Sequence, residues 1–212
     1  DYVSSFAKKF PDRISAWVDV DCVWRKDHHK PGAVARLREE LSRNNAKGFT
    51  HYVTAENDGW FHTNEGQEFF ATAAELKVVA SMAISPAWFP DLREIAKANP
   101  TLPFLVHHMS MPANTSAGYS KNDIAELVKS ADVPNIGIKI SGFNYNSIEK
   151  YDFPYKQSQE LFKTIYDAYG ADRLYWASDF PASRDMLTYT QAIEVVRTHC
   201  DYLPKADLDK IM

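Results

Sequence analysis

Six short apolar runs recur along the chain with amphipathic stretches between them, and this alternation leaves few folds open. The runs are Ile14 to Asp21, Gly48 to Val53, Val78 to Ile84, Phe104 to Met109, Ile136 to Ser141 and Leu174 to Asp179. Between them apolar residues return at helical spacing: Val34, Leu37 and Leu41, then Leu92, Ile95 and Ala96, then Ile124, Leu127 and Val128, then Leu161, Ile165 and Tyr169. Asn99-Pro100 and Tyr169-Gly170 mark two helix ends, and Ser120 with Asp123 resembles a capping box that opens another helix. Strands separated by helices predict a parallel sheet with helical crossovers, either a (β/α)8 barrel or an open doubly wound sheet.

Two observations favour the barrel. No Gly-rich phosphate loop follows any strand, which removes the usual mark of an open nucleotide-binding sheet. The run from Ile136 alternates three isoleucines with Gly137, Lys139 and Ser141, as expected when one face meets helices and the other lines a barrel interior. An inward Lys139 is costly unless it meets a carboxylate, a metal ligand or a substrate anion.

The 212 residues, 45% of them hydrophobic and 13% aromatic, suffice for one sizeable core, so residues 1–212 read as a single domain. With 24 basic and 28 acidic residues the net charge is −4 and no basic stripe appears, which argues against nucleic acid and anionic membranes as partners. No apolar stretch approaches the ~20 residues that span a bilayer. The opening Asp1-Tyr-Val-Ser-Ser lacks the pattern of a signal peptide, so the expected compartment is the cytoplasm. Cys22 and Cys200 show no ligand spacing and read as ordinary reduced thiols.

Several runs finish on polar groups. Leu-Tyr-Trp-Ala-Ser-Asp-Phe-Pro delivers Asp179 to a strand tip just before Pro181, Phe-Leu-Val ends on His107-His108, and the first run ends on Asp19 and Asp21. In a barrel, such tips gather at the mouth where the chemistry is done. Each has a plainer reading. Asp179 could cap the following helix or pair with Arg184. Only one of His107 and His108 should point inward, since neighbours on a strand face opposite sides. His28-His29 reads as a solvated loop, and His199 as a favourable charge near a helix end. Asp58-Gly59-Trp60-Phe61, between His51 and His62, reads equally as a lid or as a packed loop.

Four stretches resemble the amidohydrolase-related family that includes sugar-lactone and pyrone-dicarboxylate lactonases and some non-oxidative decarboxylases. They are Pro-Asp-Arg-Ile-Ser-Ala-Trp-Val-Asp from Pro11, Lys47-Gly-Phe-Thr-His-Tyr, Phe104-Leu-Val-His-His-Met-Ser-Met-Pro112, and Asn135-Ile-Gly-Ile-Lys-Ile-Ser-Gly-Phe together with Tyr169-Gly-Ala-Asp-Arg-Leu-Tyr-Trp-Ala-Ser-Asp-Phe-Pro181. The resemblance implies an α/β fold, a TIM barrel of the metal-dependent hydrolase type, present as about six β/α units that correspond to the third to eighth strands. It implies that Asp179 and His108 are the catalytic pair and ligands of a divalent metal, zinc or manganese, in a family where some members use none. A small-molecule substrate is implied, met by Lys139, His51 and Trp60.

Two departures stand out. The family's His-x-His of the first strand is absent, which reads as truncation ahead of the third strand and predicts unpaired sheet edges. Thr50 stands where lactonase relatives often place Arg before the His that matches His51, which removes an anchor for a dicarboxylate. The leading expectation is hydrolysis of a lactone or related ester by water that a metal, or Asp179 and His108 alone, activates, with Lys139 or His108 facing the carbonyl oxygen. The alternatives are a decarboxylase of the same family, or an inactive remnant or small-ligand binding module.

Overall fold

A computed structural model describes residues 2–212. In chain order the elements are α1 (Tyr2–Lys9), β1 (Trp17–Asp19), α2 (Ala33–Asn44), β2 (Gly48–Tyr52), α3 (Asn64–Glu75), β3 (Val79–Ala83), α4 (Phe89–Ala98), β4 (Phe104–Val106), β5 (Asn114–Thr115), β6 (Gly118–Tyr119), α5 (Lys121–Lys129), β7 (Ile136–Ile140), α6 (Phe143–Asn146), α7 (Lys156–Tyr169), β8 (Leu174–Trp176), α8 (Tyr189–Arg197) and α9 (Lys205–Ile211). All six predicted strands form, each shorter than its apolar run, and the four predicted helices lie where their periodicity puts them. The described residues gather into two compact units that divide between Leu105 and Val106.

In the first unit β1, β2 and β3 are parallel, with Trp17 opposite Gly48 and Gly48 opposite Val79. Only glycine fits at position 48. A Cβ there would lie 2.8 Å from both the Trp17 ring and the Val79 carbonyl oxygen. Phe49, Phe61, Phe69, Phe70 and Trp88 are fully buried. Phe69 meets Phe49 and Phe70 edge-on with centroids 5.3 Å apart in each case, the arrangement aromatic quadrupoles favour. Helix α3 supplies Phe69 and Phe70 and opens on Thr63, whose hydroxyl accepts from the Gly66 amide.

The second unit holds the short antiparallel pair β5 and β6 and the parallel pair β7 and β8, with Ile138 opposite Leu174 and Ile140 opposite Trp176. Ile136, Ile138 and Ile140 are buried, as the alternation along this strand requires. Ser120 caps α5 by accepting from the Asp123 amide, but the Asp123 carboxylate accepts from the Ala113 amide instead of closing the box. Helix α8 ends at Arg197, so His199 lies beyond it, edge-on to Phe153.

The strands are short because their tips leave extended geometry. Asp21, His108 and Asp179 all have positive φ, at 52°, 49° and 53°. After β4 the excursion is longest, with His108, Met109, Ser110 and Met111 all left-handed. Each non-glycine residue there costs about 1–2 kcal/mol, so the turn needs support from elsewhere. Asn146 gives some by donating its Nδ2 to both the His108 and Gly142 carbonyl oxygens, at 3.0 Å each.

Candidate functional site

In the second unit the polar residues past β4, β7 and β8 converge. Asp179 accepts a 2.6 Å hydrogen bond from the Tyr145 hydroxyl on Oδ2, while its Oδ1 lies 3.8 Å from His108 Nε2. His108 Nδ1 is 2.9 Å from Ser141 Oγ, which fixes the ring, and Tyr145 meets that ring edge-on at 5.4 Å. Gly142 makes the close packing feasible. It has φ 69°, and a Cβ would lie 2.7 Å from the Tyr145 ring and 3.0 Å from His108 Cβ. Arg184 pairs with Asp185, leaving the Asp179 carboxylate to its Tyr145 and His108 neighbours.

Lys139 and Ser141 share a face of the β7 run, as period two demands, and Lys139 Nζ lies 3.0 Å from His107 Nε2. An ammonium can only donate, so His107 is neutral with its Nε2 lone pair facing the lysine. Burial pushes His107 down to about 2, with the Lys139 charge and then His108 adding to the effect. Burial also lowers Lys139 to about 8, against the opposing pull of the Asp179 charge. His108 is lowered by burial too, partly offset by Asp179 and reinforced by Lys139. The expectation that His107 and His108 face opposite sides is corrected here. The strand ends at Val106 and turns left-handed at His108, so both rings engage residues of one cluster. Chemically the arrangement offers a carboxylate base, a neutral imidazole and a titratable ammonium. For a metal, His108 and Asp179 supply two donors. Zinc sites use at least three protein ligands, and among the described residues the groups of three or more potential ligands lie in the first unit.

There, His51 is fully buried among aromatic rings and Trp60 is buried against it, with centroids 5.6 Å apart. Trp60 and Phe61 are packed inward as core, which favours the packed-loop reading over the lid. The solvated-loop reading of His28 and His29 is corrected. Asp21 Oδ2 accepts from the His29 amide at 2.9 Å, His28 Nδ1 is 2.7 Å from the Asp21 carbonyl oxygen, and the His29 ring stacks on Trp60 at 4.3 Å. Arg36 completes the fold of this loop by donating to the Asp21 carboxylate and to the Asp27 and Lys30 carbonyls. His29 Nδ1 lies 2.5 Å from Asp58 Oδ2 and its Nε2 lies 3.2 Å from His51 Nε2. The sequence carried one signal for this cluster, Asp21 at the end of the first apolar run, whose backbone and carboxylate organise His28 and His29 several residues away. His62 pairs outward with Asp91 at 3.0 Å. No helix among the described residues is long and apolar enough to cross a membrane.

Comparison with known proteins agrees with this architecture. An amidohydrolase from Burkholderia multivorans, solved with bound zinc, superposes with a TM-score of 0.80 at 18% identity, covering 99% of this chain and 74% of that one. A probable 2-pyrone-4,6-dicarboxylic acid hydrolase from Acinetobacter baumannii, with citric acid bound, gives 0.74 at 16% identity, covering 99% and 73%. A 5-carboxyvanillate decarboxylase from Sphingomonas paucimobilis gives 0.62 at 13%, covering 100% and 68%. At these identities the likeness shows the fold, an α/β barrel of about six β/α units. No curated protein matches the sequence. The sequence model of the amidohydrolase family does match, over residues 1–212, so the chain with its barrel-type succession of strands and helices belongs to the amidohydrolase family.

Proposed function

We propose that the second-unit cluster hydrolyses a lactone or related carboxylic ester, with Asp179 as general base and Lys139 as the group that stabilises the developing oxyanion. The observation that carries this reading is the 3.8 Å gap between Asp179 Oδ1 and His108 Nε2. It is too long for a hydrogen bond, yet a water oxygen about 2.8 Å from each atom would bridge them. Asp179 takes a proton from that water as its oxygen attacks the ester carbonyl. The carbonyl oxygen gains negative charge and is met by the Lys139 ammonium. Collapse breaks the acyl–oxygen bond, and the proton held on Asp179 passes to the leaving alkoxide, giving a hydroxy acid. Tyr145 holds the second carboxylate oxygen, which orients Oδ1 towards the water.

His51 and Trp60 are buried in the first unit and are given no part in this chemistry. Thr50 in place of an arginine favours neutral lactones over dicarboxylates. His108 and Asp179 supply two donors for a metal, and no step here runs through one. Decarboxylation is the rival reading, favoured by the same ammonium, which would hold a carboxylate. Incubation with sugar lactones and with hydroxybenzoic acids, followed by acid titration and by carbon dioxide release, separates the two. Acid release that falls about 10²-fold or more in Asp179→Asn supports the proposal. Carbon dioxide release without lactone hydrolysis overturns it.

A further inference from the structure

In the first unit the loop after β1, which carries His28 and His29, and strand β2, which carries His51, hold three imidazoles in one tautomer. His51 Nδ1 is 3.1 Å from the Val20 carbonyl oxygen, His28 Nδ1 is 2.7 Å from the Asp21 carbonyl oxygen, and His29 Nδ1 is 2.5 Å from the Asp58 carboxylate. A carbonyl or carboxylate oxygen can only accept, so each Nδ1 carries the hydrogen and each neutral ring keeps its lone pair on Nε2. The Nε2 atoms of His29 and His51 then face each other at 3.2 Å, where two lone pairs repel. His28 Nε2 is buried and has no hydrogen-bond partner among the described residues.

We infer that Asp21, His29 and His51 form a binding site for a divalent transition metal of the zinc class, with Asp58 and the Val20 carbonyl as the outer acceptors that orient its imidazoles. Two nitrogens bound to tetrahedral zinc at its usual bond length lie about 3.3 Å apart, close to the separation found here. Histidines that bind metal ordinarily donate their other nitrogen to a carboxylate or a backbone carbonyl, and both rings do so. The Asp21 carboxylate is the third donor. One of its oxygens lies within 4.8 Å of both imidazole nitrogens, a reach covered by a small side-chain movement or one bridging water. Its charge is shared with Arg36, and its remaining lone pairs are free for a cation. Histidine nitrogens with one carboxylate select zinc, cobalt or nickel over calcium and magnesium.

This site stands apart from the lactonase reading, and its test does not depend on turnover. The full chain, stripped with chelator, is titrated with zinc by calorimetry and with cobalt by visible absorption. The expected result is one tight equivalent and a tetrahedral cobalt spectrum. Binding is lost in His29→Asn and His51→Gln, weakened about 10–100-fold in Asp58→Asn, and unchanged in His108→Asn and Asp179→Asn. Circular dichroism checks that each variant folds. Should His51→Gln fail to fold, His29→Asn and Asp58→Asn still decide the matter, since both lie nearer the surface. Absence of a tight equivalent in the wild type overturns the inference. So does binding that survives His29→Asn and is lost in His108→Asn, or a nitrogen NMR spectrum in which zinc leaves the His29 and His51 resonances unmoved.

Discussion

Below about pH 8 Lys139 carries its ammonium beside the neutral His107 ring and within the field of Asp179. Burial has lowered its pKa, so the charged form is present at neutral pH and is lost as pH rises through about 8. If the ammonium stabilises an oxyanion, kcat/KM for a lactone falls along that limb. Lys139→Met lowers activity at pH 7 and flattens the fall, which a pH–rate profile of both proteins checks. His107 fits the same picture from the other side, because a lysine donating to an imidazole needs that imidazole uncharged. These relations were only partly legible in the sequence. The cost of an inward lysine was readable from β7's alternation, and so was the carboxylate at Asp179. The lysine's partner was not, since the period-two argument fails once His108 turns left-handed.

Helix α2 shows a related limit among the elements. Gly32, at φ 96°, stands at its N-terminus and offers no capping side chain. The cap comes from α3, where Glu65 Oε1 accepts from the Gly32 and Ala33 amides at 2.8 and 2.7 Å. A carboxylate there also meets the positive end of the helix. Glu65→Ala is expected to cost about 1 kcal/mol, read as a lower urea midpoint with an unchanged slope. The strand and helix periods along the chain were legible because burial enforces them locally. Local caps such as Ser120 were legible too, but a cap supplied across more than thirty residues, as Glu65 supplies it, is announced by no local pattern. Likewise α3 itself carries Phe69, Phe70 and Ala73 inward behind a Thr63 cap, a signal present in the sequence but overshadowed by the neighbouring aromatic loop.

At the scale of the molecule, stability in the first unit rests on aromatic packing. Phe69 touches Phe49, Trp60, Phe70 and the His51 ring. Phe69→Ala is expected to cost about 3–5 kcal/mol, measured by chemical denaturation, because a rigid cluster closes poorly over a lost ring. The family assignment was legible from four sequence stretches that span nearly the whole chain. The histidine cluster was not, because His28 and His29 sit in a loop whose composition resembles any solvated turn and meet His51 and Asp58 only in the folded chain. Every residue of that cluster precedes Leu105, and His107, His108, Lys139, Ser141, Tyr145 and Asp179 all follow it. Chimaeras exchanged with a relative at this junction would therefore inherit each constellation as an undivided block, and shuffling experiments could reassign one without rewriting the other.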